Sequence, residues 1–172
     1  MNPDQDSRSW SSRLGYIMPL FGHRNWIVVA DAAYPAQSNP GIETLFTGTD
    51  HVEVLSNVLT AIAAAHHVRA NIFLDAELQM LTEIDAPGVS IFRREIAQKL
   101  SGHATRALAH EQIIARLDEA ARLFRIFILK STHSIPYTSV FLELDCGYWS
   151  GEAEKRLRDL QANQTTQTIQ SR

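Results

Sequence analysis

Apolar residues along the chain fall into short blocks whose spacing switches between two periods, and the switches divide the chain into elements. Trp26 to Ala30 is a continuous apolar run, too short for a helix and rich in β-branched residues. Such a run predicts a strand buried on both faces, as in a parallel sheet. Segments 42–47, 68–74, 105–109, 123–130 and 138–144 read as further strands. Between them, Val52, Leu55, Leu59, Ile62 and His66 repeat at helical spacing and predict a helix over 50–66. Asp50 and Glu53 stand at capping-box spacing at its start. Val89, Phe92, Ile96 and Leu100 form a second stripe, with Pro87 suited to the first helical position and Ser101-Gly102 ending it. Segment 111–121 predicts another helix, and 10–20 a short one that Pro19 must end or kink.

Strands alternating with helices argue for an α/β domain with a mostly parallel sheet and helices on both faces, because crossover helices connect parallel neighbours. The connection 131–137 is too brief for such a crossover, so the last strand is expected as an antiparallel edge or as a return through another layer. Residues 1–150 then make one domain, with 1–9 loose. Residues 151–172 make an extension: 152–161 has helical spacing at Leu157 and Leu160, and 162–172, with six Gln or Thr residues, is expected to stay unstructured.

Composition narrows the function classes. At 172 residues, 45% hydrophobic and 20% charged, the chain suits a single soluble globular domain. A net charge of −3, with basic residues scattered, offers no concentrated footprint for nucleic acid or an anionic membrane. The single cysteine, Cys146, excludes an intrachain disulfide framework, and with a polar N-terminus and no long apolar run it predicts a cytoplasmic protein. The sequence holds no Walker A loop, no G-x-G-x-x-G, no G-x-S-x-G elbow and no H-E-x-x-H, so no nucleotide or metal cofactor is expected. His66 and His67 read as imidazoles favoured near a helix end, and His51 and His103 as surface positions.

Candidate chemistry gathers at three places. Asp31 closes the strand Trp26–Ala30, and ligands of open α/β sheets bind beyond the carboxyl ends of their strands. The structural alternative is a turn cap ahead of Pro35. His23 precedes the same strand in a Gly22-His23 turn. His110, in Ala109-His110-Glu111-Gln112, follows a short strand, and Tyr137 and Ser139, in Pro136-Tyr137-Thr138-Ser139, open the last one. Each has a structural alternative: a turn residue for His23, a helix N-terminal residue for His110, a core-edge aromatic for Tyr137 and strand surface for Ser139.

These pieces, in this order and over most of the chain from Phe21 to Gly147, resemble the D-ribose pyranase and L-fucose mutarotase family. The stretch from Asp31 to Ser38 looks closer to the fucose branch, and His110-Glu111-Gln112 to the ribose branch. The resemblance implies a D-ribose pyranase-like three-layer α/β/α fold and a cofactor-independent isomerase that interconverts anomeric or ring forms of a free monosaccharide. It makes His23 the catalytic histidine, with Asp31, His110, Tyr137 and Ser139 as substrate contacts. It also implies a cyclic homo-oligomer, commonly a decamer of two stacked pentamers, with sites completed at subunit boundaries. Three departures stand out: Ser139 in place of the family's asparagine, Pro19 before the Gly-His turn, and the extension beyond Gly147. Ring opening needs one acid and one base, and an imidazole titrating near 6.5 can serve as either.

Overall fold

Alternation within a five-residue run decides how the sheet is covered. In β1 (Trp26–Ala30) every residue is at most 1% exposed. Ile27 and Val29 join one apolar cluster, while Trp26, Val28 and Ala30 join another on the opposite face, as the period of two requires. The structure is a computed structural model that describes residues 9–170, with side chains described through Gln161. The N-terminal eight residues, where a loose segment was expected, lie outside the described residues.

The elements follow the predicted order. They are α1 (Trp10–Ile17) with a 3-10 turn at Met18–Leu20 around Pro19, β1, β2 (Ile42–Phe46), α2 (His51–Ala64), β3 (Val68–Asp75), a 3-10 turn at Ala76–Gln79, α3 (Val89–Lys99), β4 (Thr105–Leu108), α4 (His110–Ala121), β5 (Ile126–Lys130), β6 (Val140–Cys146) and α5 (Gly151–Gln170). Helix α2 starts as its cap predicts: Asp50 Oδ1 accepts the N–H groups of Val52 at 2.9 Å and Glu53 at 3.3 Å. Helices α1, α2 and α3 cover one face of the sheet, and α4, through Ile113, Leu117 and Ala121, covers the other.

The sheet order is β2-β5-β1-β6-β3-β4. Five strands run parallel, and β6 runs against both of its neighbours, β1 and β3. The antiparallel return was expected at an edge, yet β6 lies inside the sheet. After β5 the chain crosses over the end of β1 and descends on its far side, where β6 finds hydrogen-bonding partners on both flanks and its apolar residues are covered on both faces. The crossing is pinned by backbone hydrogen bonds: Ser131 N–H donates to Ala30 C=O at 2.8 Å, Ala32 N–H to His133 C=O at 2.7 Å and Thr132 N–H to Thr49 C=O at 3.0 Å.

Three further expectations are corrected. Helix α3 begins at Val89 rather than Pro87, because Gly88 sits ahead of it at φ 92°, in the left-handed region that only glycine enters without strain. The helix of the extension continues through the Gln- and Thr-rich run to Gln170, since no Gly or Pro after Gly151 interrupts it. His51 is not a surface residue but fully buried. As the first residue of α2 it lies under the crossing, with Nδ1 2.9 Å from Ser131 Oγ and its ring edge-on to Phe92.

Ser131 Oγ–H donates to Ala30 C=O at 3.0 Å, so His51 supplies the proton from Nδ1, and its buried Nε2 has no hydrogen-bond partner among the described residues. Burial, and then repulsion from His133, push the His51 pKa down to about 3. In the unfolded chain it titrates near 6.5, so between those values the unfolded state binds more protons. This contribution to stability is complete above pH 6.5 and is lost as pH falls toward 3. By linkage the loss at pH 5 is up to about 2 kcal/mol. Urea unfolding should therefore show lower stability at pH 5 than at pH 7, and His51→Leu should flatten that difference. An unchanged difference in the variant would assign the acid lability to other groups.

Candidate active site

Because β6 is the one reversed strand, its beginning lies at the same edge of the sheet as the carboxyl ends of the other five. Asp31 after β1, Asp75 at the end of β3, His110 just after β4, and Tyr137 and Ser139 before β6 therefore converge from distant parts of the chain. Asp31, His110 and Tyr137, with Tyr34 and Glu111, line a cleft of about 580 Å³ whose apolar walls come from Pro35, Ile114, Ile135 and Pro136, and Asp75 and Ser139 are not among its lining residues. Among the described residues no Lys or Arg lines it. A neutral polyol suits such walls, with hydroxyls for the few polar groups and C–H faces for the apolar ones.

Each expected residue has a definite place. Asp31 Oδ1 accepts the N–H of Ala33 at 2.8 Å, so the turn-capping role is real, while Oδ2 accepts the hydroxyl of Ser139 at 3.5 Å. Ser139 is 2% exposed and lies behind Asp31 rather than among the lining residues. Tyr137 sits at φ 57°, unusual for an aromatic residue, and its ring meets that of His110 edge-on at 5.6 Å. His110 opens α4, and its backbone N–H donates to both carboxylate oxygens of Glu77 at 3.1 Å. Glu77 thus caps α4 from outside the helix, where Ala109 in the cap position has no side chain to do so. The Tyr34 hydroxyl accepts from Gln37 Nε2 at 3.4 Å, and burial, with help from Asp118 and other carboxylates, pushes its pKa up to about 12.

His23 is elsewhere. It precedes β1, and five strand residues at about 3.3 Å each put roughly 16 Å of sheet between it and Asp31. Its Nδ1 lies 3.0 Å from Asp145 Oδ1, and its Nε2 accepts from Arg24 Nε at 3.2 Å. Arg69 holds the other oxygen of Asp145 at 2.7 Å. Burial opposes ionisation of Asp145, but the hydrogen bonds from Arg69, the Cys146 N–H and His23 outweigh it and hold the carboxyl below its ordinary value. Within one chain the structure brings Asp31, His110, Tyr137 and Ser139 together and leaves His23 at the opposite edge.

Asp75 and Glu77 escaped the reading of the sequence. Asp75 is 2% exposed, and its Oδ1 lies 3.0 Å from His110 Nδ1. Burial raises its pKa, opposed by His110 and supported by the nearby Glu77 and Asp31 carboxylates. A signal was available: Asp75 ends an apolar strand just as Asp31 does. Among the described residues no three His, Cys, Asp or Glu side chains are grouped as ligands for a metal ion, and no helix is long and apolar enough to cross a membrane.

No family model matches the chain, and no curated protein matches it in sequence. Solved structures do share its fold. Bacillus subtilis RbsD complexed with D-ribose superposes with a TM-score of 0.57 at 17% identity, over 78% of this chain and 92% of that one. The fucose mutarotase from Streptococcus pneumoniae, in complex with L-fucose, gives 0.51 at 18% identity over 76% and 89%. FucU from Bifidobacterium longum gives 0.52 at 18% identity over 78% and 94%. The chain has the α/β fold of the ribose pyranase and fucose mutarotase proteins, as the resemblance implied. At these identities the likeness establishes the fold alone.

Removing the Glu77 carboxylate strips the external cap from α4 and frees the N–H of His110. Glu77→Ala should cost about 1–2 kcal/mol of stability, read from the midpoint of urea unfolding at pH 7. A variant as stable as the parent would show that solvent replaces the cap without loss.

Proposed function

We propose that the protein is a cofactor-independent monosaccharide mutarotase of the pyranase type, opening and reclosing the cyclic hemiacetal of a free sugar. The observation that carries this reading is the convergence of Asp31, His110 and Tyr137 on one cleft, on the fold of sugar mutarotases. Asp31 accepts sugar hydroxyls, its second oxygen steadied by Ser139. Tyr137 and His110 face the anomeric side. Where the family has an asparagine, the shorter Ser139 hydroxyl leaves room beside Asp31 for a different pattern of hydroxyls. His23 supplies proton transfer as the family resemblance implies, and in this reading it reaches the cleft from a neighbouring copy of the chain within a cyclic homo-oligomer.

Saturation-transfer NMR on ribose, fucose and related sugars tests the activity. Exchange between anomeric or ring forms should accelerate with or without chelator, and no effect on any pentose, hexose or deoxyhexose would sink the proposal. His23→Ala should lower turnover at least about 100-fold with the fold intact, the usual scale of positioned proton transfer. Mixing inactive His23→Ala with inactive Tyr137→Phe subunits should restore part of the activity. An active oligomer without such complementation would place each site within one chain.

A second reading, a sugar-binding protein without turnover, is favoured by one observation: a single chain presents the cleft without His23. Line broadening of a sugar by the protein, with no change in its exchange rate, would select it.

A further inference from the structure

The geometry points to His110 as a proton-transfer group in its own right, not only a substrate contact, with Asp75 as the buried positioning residue that sets its tautomer. This rests on the ring-opening reading above. Asp75 Oδ1 is 3.0 Å from His110 Nδ1, and the Asp75 side chain is 1% exposed, against 30% for His110. Ionised, Asp75 can only accept, and the facing imidazole favours that form against the burial that opposes it, so Nδ1–H of His110 donates to it. The remaining ring nitrogen, Nε2, then carries the lone pair on the ring that lines the cleft.

Two other contacts fix the imidazole in place. Its backbone is held by both oxygens of Glu77, and the Tyr137 ring closes on it edge-on. This is the arrangement of base and orienting carboxylate by which buried aspartates serve imidazole bases elsewhere, recognised by geometry and not by chain order. Asp75 Oδ2 is buried with no hydrogen-bond partner among the described residues. A buried carboxylate held by one hydrogen bond is costly to keep, and a proton on the facing imidazole lowers that cost at the moment the ring takes it up.

The step balances without any further reactant. The anomeric hydroxyl gives its proton to His110 Nε2, and the O–H pair becomes the second bond of the carbonyl at C1. The bond between C1 and the ring oxygen breaks, its pair stays on that oxygen, and the oxygen takes a proton from His23, which for this step must carry it on the Nε2 that in the single chain accepts from Arg24. On reclosure at the other face of the carbonyl, or through another hydroxyl, the attacking hydroxyl gives its proton to His23 and His110 Nε2 gives its proton to the carbonyl oxygen. One histidine gains a proton as the other loses it, so each cycle leaves the site as it began.

Two variants of the full chain test the assignment, Asp75→Asn and Asp75→Leu, the second keeping the core filled if the first is poorly folded. Turnover and KM are read by saturation-transfer NMR on the best-responding sugar, and the His110 ring nitrogens by nitrogen-15 spectra of the free protein. The parent should show Nδ1 protonated and Nε2 bare in the neutral ring. Both variants should lose that preference and fall at least about 100-fold in kcat with KM within a few-fold, and His110→Gln should fall as far. A parent ring protonated on Nε2, or an Asp75→Leu variant within about threefold of parental kcat, would overturn the proposal. If no sugar responds, the mutarotase reading fails by itself. The ring spectra then still decide whether Asp75 sets the His110 tautomer.

Discussion

One reversed strand organises this protein. β6 hydrogen-bonds to β1 on one side and to β3 on the other, and it can do so only because the chain leaving β5 crosses over the end of β1 before turning down. Had β6 run parallel, its first residue would lie at the opposite edge, and Tyr137 and Ser139 would be a strand length from Asp31. The crossing is irregular backbone over a buried edge, which is tolerable only where its polar groups find partners. Ala30, Ala32 and Thr49 supply these from the backbone and Ser131 from its side chain. The loop that satisfies the sheet edge is also the wall of the cleft.

That edge carries several of the costs of the fold. Tyr137 in the left-handed region, the unpartnered oxygen of Asp75 and the bare nitrogen of His51 each cost on the order of 1–3 kcal/mol. They persist because the two apolar clusters are dense. Trp26, Phe73, Phe127 and Phe141 are at most 2% exposed, and each fully buried side chain of this size contributes roughly 1.5–3 kcal/mol. The far side carries costs too, with Arg24 at φ 72° and Trp26 Nε1 buried without a partner among the described residues, while the burial that offsets them is spread over the whole sheet.

How much of this could be read in the sequence depended on whether a property was local. The strand at Trp26–Ala30 and the Asp50 cap are set by neighbours in the chain, and both stand where the pattern placed them. Strand order is not local. A short connection from β5 to β6 fixes an antiparallel sense but leaves open on which side of β1 the strand will lie, so an edge was expected where a central strand stands. His51 misled for the same reason: the first turn of a capped helix is usually exposed, and only the crossing loop buries it. The motif for His110 was visible, but its partner Asp75 is 35 positions away on another strand, and no spacing rule connects them. Ser139 was placed among the contacts by its motif, and the structure sets it one layer back, behind Asp31.

His23 poses the sharpest geometric question. Its ring is tethered by Asp145, which Arg69 holds in turn, at the edge of the sheet opposite the cleft. No change of side-chain rotamer spans a five-residue strand, and β1 is too well buried to slide. A chain acting alone therefore has a cleft with one histidine, and a ring-opening mechanism with both imidazoles needs the second from another copy. The tether fits that division of labour. A side chain 57% exposed in the single chain would not ordinarily hold one orientation, whereas the Asp145 carboxylate and the Arg24 guanidinium engage both of its ring nitrogens. In the proposed ring opening Nε2 exchanges Arg24 for the sugar, while Asp145 keeps the ring oriented through Nδ1. In the proposed mechanism the symmetry of the assembly, rather than the fold of one chain, brings the acid and the base together.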